Sequence, residues 1–337
     1  MTRLRDVGEF DLIDLIAQQA PGPHGRLLKG IGDDCAVIAG EGEIAALVTT
    51  DTMVEGVHFD LSTAKPEWLG SKLLAVSLSD IAAMGGTPHE AFLSISASPD
   101  FDASVFERLA GGLQASGTRY GVQLAGGDTT STMGPLVISL TLLGTCPQNQ
   151  VVYRSGARAG DSVFVTGTPG DSAAGLALSN DPVDLEKHHE THLLRRHHRP
   201  EPRMAAGREL AAKGIASSMI DLSDGLGGDL GHICRQSVVD VVIDPARLPV
   251  SDALRAYCDA TRRNPVDFVL QGGEDYELAF SSCNTDFASD WTCECRLTYI
   301  GKVIQGSGHV RIGSESASEP FDKKGFDHFA GGRRGTF

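Results

Sequence analysis

The sequence predicts a two-domain α/β protein, and three observations carry that prediction. The chain has 337 residues, too many for one ordinary hydrophobic core and suited to two. Apolar runs of strand length alternate with longer helical patterns through both halves, which is the signature of mixed α/β architecture. Around Cys146-Pro147-Gln148-Asn149 the alternation breaks, which sets the expected domains at 1–148 and 149–337.

Glu9 to Ala17 has the apolar spacing of a short amphipathic helix, stopped by Pro21-Gly22-Pro23. Gly30-Ile31-Gly32-Asp33-Asp34 reads as an acidic turn feeding a strand over Cys35 to Ile38. Its two glycines free the backbone to turn, so that adjacent carboxylates are aimed into a cleft. Ile44 to Thr49 is the next strand, so Asp51 is expected at its carboxyl end, where open α/β sheets place ligands. His58 follows close behind these acids. Pro66 opens a helix that carries Leu73 to Met84 and ends at Gly85-Gly86. This stretch is so apolar that the helix is expected to be buried, and an acid on it, Asp80, needs a partner. Glu90 to Ala97 reads as a strand, Phe101 to Arg119 as a helix, and Gly121 to Ala125 as a strand that breaks into Gly126-Gly127-Asp128. Leu136 to Gly144 completes the first half as another strand.

In the second half, strand Ser162 to Thr166 leads into Gly167 to Gly175, a glycine-rich turn opening a helix. Such a turn binds anions on free N–H groups. It lacks the lysine of a phosphate-binding loop, so packing or capping is expected ahead of phosphate contact. The histidine-rich stretch 188–198 lies among arginines and precedes Arg199-Pro200, which reads as a solvated face and a loop more than a metal site. Ile220-Asp221-Leu222-Ser223-Asp224-Gly225 and Gly272-Gly273-Glu274-Asp275-Tyr276 again set acids beside glycines. Between them, Leu226 to Gln236 reads as a helix and Val238 to Ile243 as a strand, and Gly331 to Gly335 looks like a frayed tail.

A net charge of −15 argues against nucleic-acid binding through a general basic surface, though metal ions let an acidic protein handle phosphates. Seven scattered cysteines form no familiar framework and suit reduced thiols. The one close pair, Cys293-x-Cys295, has no further well-spaced ligands nearby for zinc. The charged start, Met1 to Asp6, runs into a helical pattern with no long apolar stretch, so neither signal peptide nor membrane anchor is expected and the cytoplasm is the expected location.

Clustered carboxylates repel unless something cationic neutralises them, and a divalent ion with oxygen ligands is the usual answer. Several acids at strand ends or on a buried helix, without a phosphate-binding loop, point to metal-bound nucleotide chemistry. The motifs Gly30-Ile31-Gly32-Asp33-Asp34, Thr50-Asp51-Thr52, Gly56-Val57-His58-Phe59, Leu78-Ser79-Asp80-Ile81-Ala82-Ala83-Met84-Gly85 and Gly126-Gly127-Asp128-Thr129-Thr130 resemble the thiamine-monophosphate kinase family. So do Gly170 to Leu176, Ile220 to Gly225, Gly272 to Leu278 and Lys324 to Phe329, and the match runs in order along nearly the whole chain.

The resemblance implies a two-domain α/β (α+β) fold like that of aminoimidazole ribonucleotide synthetase. In it the N-terminal sheet forms a homodimer and the C-terminal α/β domain covers nucleotide and substrate. It implies ATP-dependent conversion of thiamine monophosphate to thiamine diphosphate with several Mg²⁺ ions. Carried over by position, Asp34, Thr50, Asp51, Asp80, Asp128 and Asp221 look like magnesium ligands, with Thr49 and Asp224 as further candidates. Asp34, Asp51, Asp80 and Asp128 would carry the catalysis. Tyr120, Gly127, Asp128, Arg154 and Ser223 look like ATP contacts, and His58, Glu274 and Phe326 like contacts to thiamine phosphate. Phe326 stands where many relatives carry tyrosine or tryptophan, which keeps an aromatic contact and removes a hydroxyl.

Two other readings compete. One is an ATP-dependent synthetase of the same fold making an acyl or imidate phosphate or selenophosphate; selenophosphate synthetases use a reactive cysteine near the start and hydrogenase-maturation relatives one at the C-terminus, whereas the first cysteine here is Cys35 and the chain ends Gly335-Thr336-Phe337. A nucleotide-binding regulator without turnover would keep acids for Mg²⁺–ATP but have no use for His58, Glu274 and Phe326 together.

Overall fold

A computed structural model describes residues 3–289 and 291–321. The expected tail at Gly331–Gly335 and Phe326 lie outside these residues. The first half comprises α1 (Leu4–Val7), α2 (Glu9–Gln19), β1 (Leu27–Lys29), β2 (Ala36–Ala39), β3 (Ile44–Val54), α3 (Pro66–Ala83), β4 (Thr87–Ala97), α4 (Ala103–Tyr120), β5 (Gln123–Ser131) and β6 (Val137–Pro147). The second comprises β7 (Ser162–Thr166), α5 (Asp171–Asn180), α6 (Lys187–His198), α7 (Met204–Ala212), β8 (Ser218–Asp221), α8 (Leu226–Ser237) and β9 (Val239–Ile243). It continues with α9 (Asp252–Thr261), α10 (Pro265–Gln271), β10 (Leu278–Ser282), β11 (Leu297–Gln305), β12 (Val310–Ser314) and β13 (Ala317–Pro320).

The strands form two sheets, ordered β1-β2-β3-β6-β4-β5 and β13-β12-β9-β11-β7-β10-β8. Both are mixed and mainly antiparallel; β4 pairs β5, and β9 pairs β12, in parallel. This corrects the expectation that acids sit beyond strand ends. β3 continues through Thr49-Thr50-Asp51-Thr52 to Val54, and β5 runs through Gly126-Gly127-Asp128, so Asp51 and Asp128 are both inside strands. Threonine is β-branched and suits a pleated surface, which carries β3 past the end of its apolar run.

α3 is the piece both halves share. It is apolar on nearly all sides, as a helix buried all round should be. It packs on β3 and β6 of the first sheet, lies beside α4, and touches α7 and β8 of the second half. Leu73, Leu78 and Ile81 accordingly belong to one core with Leu210, Met219, Leu278 and Phe280. Among the described residues the other face of the first sheet is left open: along β3, Ala45, Leu47, Thr49 and Met53 are buried, whereas Thr50 and Thr52 are exposed.

Glycine sets the α3–α4 spacing. A Cβ at Gly112 would lie 1.9 Å from the Glu67 carbonyl oxygen, and one at Gly70 2.0 Å from that of Leu109, whereas one at Gly111 would meet nothing within 4 Å. Gly112→Ala is therefore expected to destabilise the protein by about 1–3 kcal/mol through overpacking. Gly111→Ala should be neutral or stabilising by up to about 1 kcal/mol. Urea unfolding of the two variants checks the contrast, and equal effects would disprove the close-approach argument.

Candidate active site

Four acids from four elements meet beneath the junction of the two halves. Asp34 precedes β2, Asp80 lies in the last turn of α3, and Asp221 ends β8; one carboxylate oxygen from each lies within 4.8 Å of the others. Asp51 of β3 adds to the field on Asp80 and Asp221. The Thr49 hydroxyl donates to Asp80, and the Ser77 hydroxyl donates to Asp51 at 2.6 Å. Residues 77 and 80 are three apart on α3 and so share a face, while Thr49 and Asp51 share the helix-facing side of β3 by strand alternation.

Burial pushes Asp34 up to about 7, with Arg154 opposing and Asp221 and Asp33 adding to the rise. Burial raises Asp51 to about 6 against the Ser77 hydroxyl, and raises Asp221 to about 6 against Ser79 and Arg154. Asp80 is pushed well above its ordinary value by burial and then by Asp51, Asp221 and Asp34. The counter-charge is Arg154, whose Nε and Nη2 donate to Asp34 Oδ1 at 3.0 and 2.5 Å. Burial opposes the charge on Arg154, but Asp34, Asp33 and Asp221 outweigh that and keep it protonated. Asp34 Oδ2 is buried with no hydrogen-bond partner among the described residues. A donor set of carboxylate and hydroxyl oxygens, one of them buried and orphaned, fits a hard divalent cation such as Mg²⁺.

The turn that delivers Asp34 is held by both halves. Of its two glycines only Gly32 takes a left-handed backbone, with φ +107°. Asp33 Oδ1 accepts from the backbone N–H groups of Asp34 and Arg154, both at 3.2 Å. Lys29 Nζ stands 3.2 Å from Asp33 Oδ2, and Gln236 of α8 donates to the Gly32 carbonyl.

The other sequence candidates are dispersed. Thr50 turns its hydroxyl to the open face, bonded to Thr141 at 2.9 Å. Asp128 is opposite Ser94, which is opposite Ser139, which is opposite Thr52, so Asp128 also belongs to the open face. It is three strand spacings from β3, about 14 Å. Gly127 beside it has φ +154°, and a Cβ there would lie 1.7 Å from the Leu93 carbonyl oxygen. Tyr120 ends α4, with the Arg119 guanidinium 5.2 Å from its ring. His58 Nδ1 accepts from the Val54 N–H at 3.0 Å, which fixes the turn after β3. Ser223 and Asp224 follow Asp221 directly; the Ser223 carbonyl accepts from Glu274 N–H at 2.8 Å, and Asp224 N–H donates to Asp229 at 3.2 Å.

Sequence reasoning missed one pairing and two groups here. Arg154 pairs with Asp34, a contact that its sequence neighbours do not announce. Asp229, buried at the start of α8, is raised well above its ordinary value by burial and then by Asp224 and Asp221. Lys72, a lone cation within the apolar run of α3, is buried against Glu274; its signal was the misfit between residue and setting. The glycine-rich turn after β7 is capped from inside, because the Asp275 carboxylate accepts from Gly170 N–H at 2.7 Å and Ser172 N–H at 3.2 Å. That supports the capping reading and places another anion where phosphate would bind. The stretch 188–198 is a correction: it forms most of helix α6, not a loop, and one face is buried at Leu193 and His197.

Comparison with known proteins matches residues 32–146 to the N-terminal domain of AIR synthase related proteins and residues 158–289 to their C-terminal domain. A thiamine-monophosphate kinase of Salmonella typhimurium is 40% identical over 331 residues, covering 96% of this chain and 98% of its own. One from Aquifex aeolicus is 36% identical over 327 residues, covering 97% of this chain and 100% of its own. A solved structure of AaThiL complexed with AMPPCP and TMP has a TM-score of 0.86 at 35% identity, covering 97% of this chain and 99% of that chain. The hydrogenase maturation protein HypE in complex with ATP, at 17% identity and a TM-score of 0.66, shares the fold alone.

The raised acids make metal-free stability depend on pH. A carboxyl whose folded pKa is raised lends stability that is present below its unfolded value near 3.8 and is lost as pH rises through the folded values of about 6 and 7. In EDTA, Tm is therefore expected to fall between pH 5 and pH 8 (about the span of those shifts), and to fall less steeply in Asp80→Asn, which removes one mutually repelling charge. Melts across that range check this, and an identical slope in the variant would contradict it.

Proposed function

The chain belongs to the thiamine-monophosphate kinase family, and we infer from that membership and from the acid cluster that it transfers the γ-phosphoryl group of ATP directly to thiamine monophosphate. The observation that carries the direct route is the convergence of Asp34, Asp80 and Asp221 with an orphaned buried oxygen. A phosphate monoester has a second pKa of about 6, so at neutral pH the substrate is largely a dianion and needs no base to become a nucleophile. One of its terminal oxygens attacks the γ-phosphorus. The bond to the β–γ bridging oxygen breaks, that oxygen keeps the electron pair, and ADP leaves.

In this reading Asp34, Thr49, Asp51, Asp80 and Asp221 hold Mg²⁺, with Asp224 beside them. Bound there, Mg²⁺ neutralises the two approaching phosphates and the charge that develops between them. Arg154 presents a planar guanidinium next to the acids, a group suited to phosphate oxygens. Tyr120, Gly127, Asp128 and Ser223 complete the ATP contacts, and His58, Glu274 and Phe326 hold thiamine monophosphate.

The same reading makes the protein a homodimer paired through the open face of the first sheet. Phe92 is exposed on the open face of β4, and β5 is exposed along its whole length at the sheet edge. Pairing would cover that edge and enclose Thr50 and Asp128, which accounts for two proposed ligands standing apart from the buried acids. We place the division between domains at 148/149; the end of the first sheet at Pro147 and the start of the second at Ser162 support it. No helix among the described residues is long and apolar enough to cross a membrane, and the cysteines are unpaired; the cytoplasm suits both.

Asp80→Asn is expected to lower kcat roughly 100-fold or more, because one well-placed electrostatic contact is worth that much, with the fold retained in EDTA melts. ADP–ATP exchange should require thiamine monophosphate, and no phosphoprotein should be isolable. A near-normal kcat, or exchange without the acceptor, would defeat the direct metal-assisted route. Light scattering at micromolar concentration is expected to give twice the chain mass, and a monomer would remove the pairing proposal.

A further inference from the structure

Glu274 reaches its place on a backbone that glutamate rarely adopts. Its φ is +62°, and Tyr276 two residues on has φ +51°; side chains in this left-handed region are held there by their surroundings. Three buried carboxylates hold this loop, each through a different set of elements. Asp275 caps α5, and Glu277 accepts from Arg196, Arg203 and Thr166. Glu274 is paired with Lys72 of α3 at 3.0 Å, and the two side chains are only 7% and 5% exposed. Its other oxygen is 3.6 Å from His197 Nδ1 of α6. His198 packs on Trp68 of α3 with ring centroids 5.7 Å apart, and burial with the nearby Lys72 ammonium pushes it down to about 4, so this ring is neutral at neutral pH.

A buried lysine–carboxylate pair adds little stability over apolar side chains of the same size, because desolvation offsets the attraction. Its position explains it better. Lys72 stands eight residues before Asp80 on one unbroken helix, a rise of about 12 Å. α3 therefore carries a metal-site acid in its last turn and, about two turns earlier through Lys72, the Glu274 carboxylate. The Glu274 N–H bond to the Ser223 carbonyl, two residues past Asp221, ties the loop to the acid cluster a second time.

We propose that Lys72 is a positioning residue for the thiamine end of the substrate: it holds the Glu274 carboxylate aimed at the cationic, amine-bearing rings, at a spacing from the metal-site acids fixed by α3. This rests on the reading of Glu274 as a substrate contact. The ion pair selects acceptors whose ring system lies one set distance from the phosphate, and Lys72 acts only through Glu274.

The test is steady-state kinetics of the full chain at saturating Mg²⁺, with thiamine monophosphate and ATP each varied in turn against a saturating level of the other, on Glu274→Gln, Lys72→Met, Lys72→Arg and the Lys72→Met/Glu274→Gln double variant. Glu274→Gln and Lys72→Met should each raise KM for thiamine monophosphate about tenfold with kcat little changed. Lys72→Arg should recover most of the loss. The double variant removes both charges together and so keeps the fold even if Lys72→Met does not; its KM should match that of Glu274→Gln. A further rise in the double variant would show Lys72 acting by itself, and an equal fall in kcat and rise in KM for ATP in Lys72→Met would show a merely structural role; either overturns the proposal. If Glu274→Gln leaves KM for thiamine monophosphate unchanged, the assignment of Glu274 to the substrate is the part that fails, and the proposal falls with it.

Discussion

Carboxylates gathered in one buried volume repel one another, and the rest of this molecule is arranged around containing that repulsion. Asp34, Asp51, Asp80 and Asp221 come from a turn, a strand, a helix and a strand end. They are brought together by the fold, one from each of these places, since adjacent residues on one strand or helix point in different directions. Containment is partial: Arg154 offsets Asp34, and hydroxyls of Thr49 and Ser77 hold Asp80 and Asp51, yet each of the four is still pushed up. A site left in this state is one that a bound cation would relieve, which is how metal affinity can be stored in a folded chain.

Holding such a site demands a stiff frame. α3 supplies it by being buried on nearly every side, with backbone contacts at Gly70 and Gly112 too close for any side chain. The helix also joins the two halves into one core, so the acids from the first sheet and Asp221 from the second keep a fixed relation. The loop with Glu274, whose unusual backbone is also held by the Asp275 and Glu277 contacts, is tied to the same helix through Lys72, about two turns before Asp80.

The sequence made the acids and their chemistry legible, because apolar runs interrupted by acids are improbable without a reason. It also made the order of elements legible through Ile44 to Val48, Leu73 to Met84 and Leu136 to Leu143. It misjudged where strands stop. β3 passes through Thr50 and Asp51 because threonine satisfies a strand as well as valine does, and apolar periodicity alone does not see this. It misread α6, where polar residues cover one face while Leu193 and His197 are buried on the other. The Arg154–Asp34 and Lys72–Glu274 pairs join residues 120 and 202 positions apart, and nothing local records such partners.

Strand parity separates the proposed ligands more sharply than motif reading suggests. Successive residues on a strand face opposite ways, so Asp51 and Thr50 cannot serve the same side of the first sheet through their side chains. The structure sends Asp51 to the helix-covered face, and Thr50 with Asp128 to the open one. On the covered face, burial raises Asp51 and Asp80 and makes a cation worth binding. On the open face solvent stabilises a carboxylate, so Asp128 gains comparable reason to bind a cation only when that face is covered. In the proposed reading, metal binding and the pairing of sheets are thus one question: the buried acids belong to the single chain, and any contribution of Asp128 depends on what lies across the open sheet.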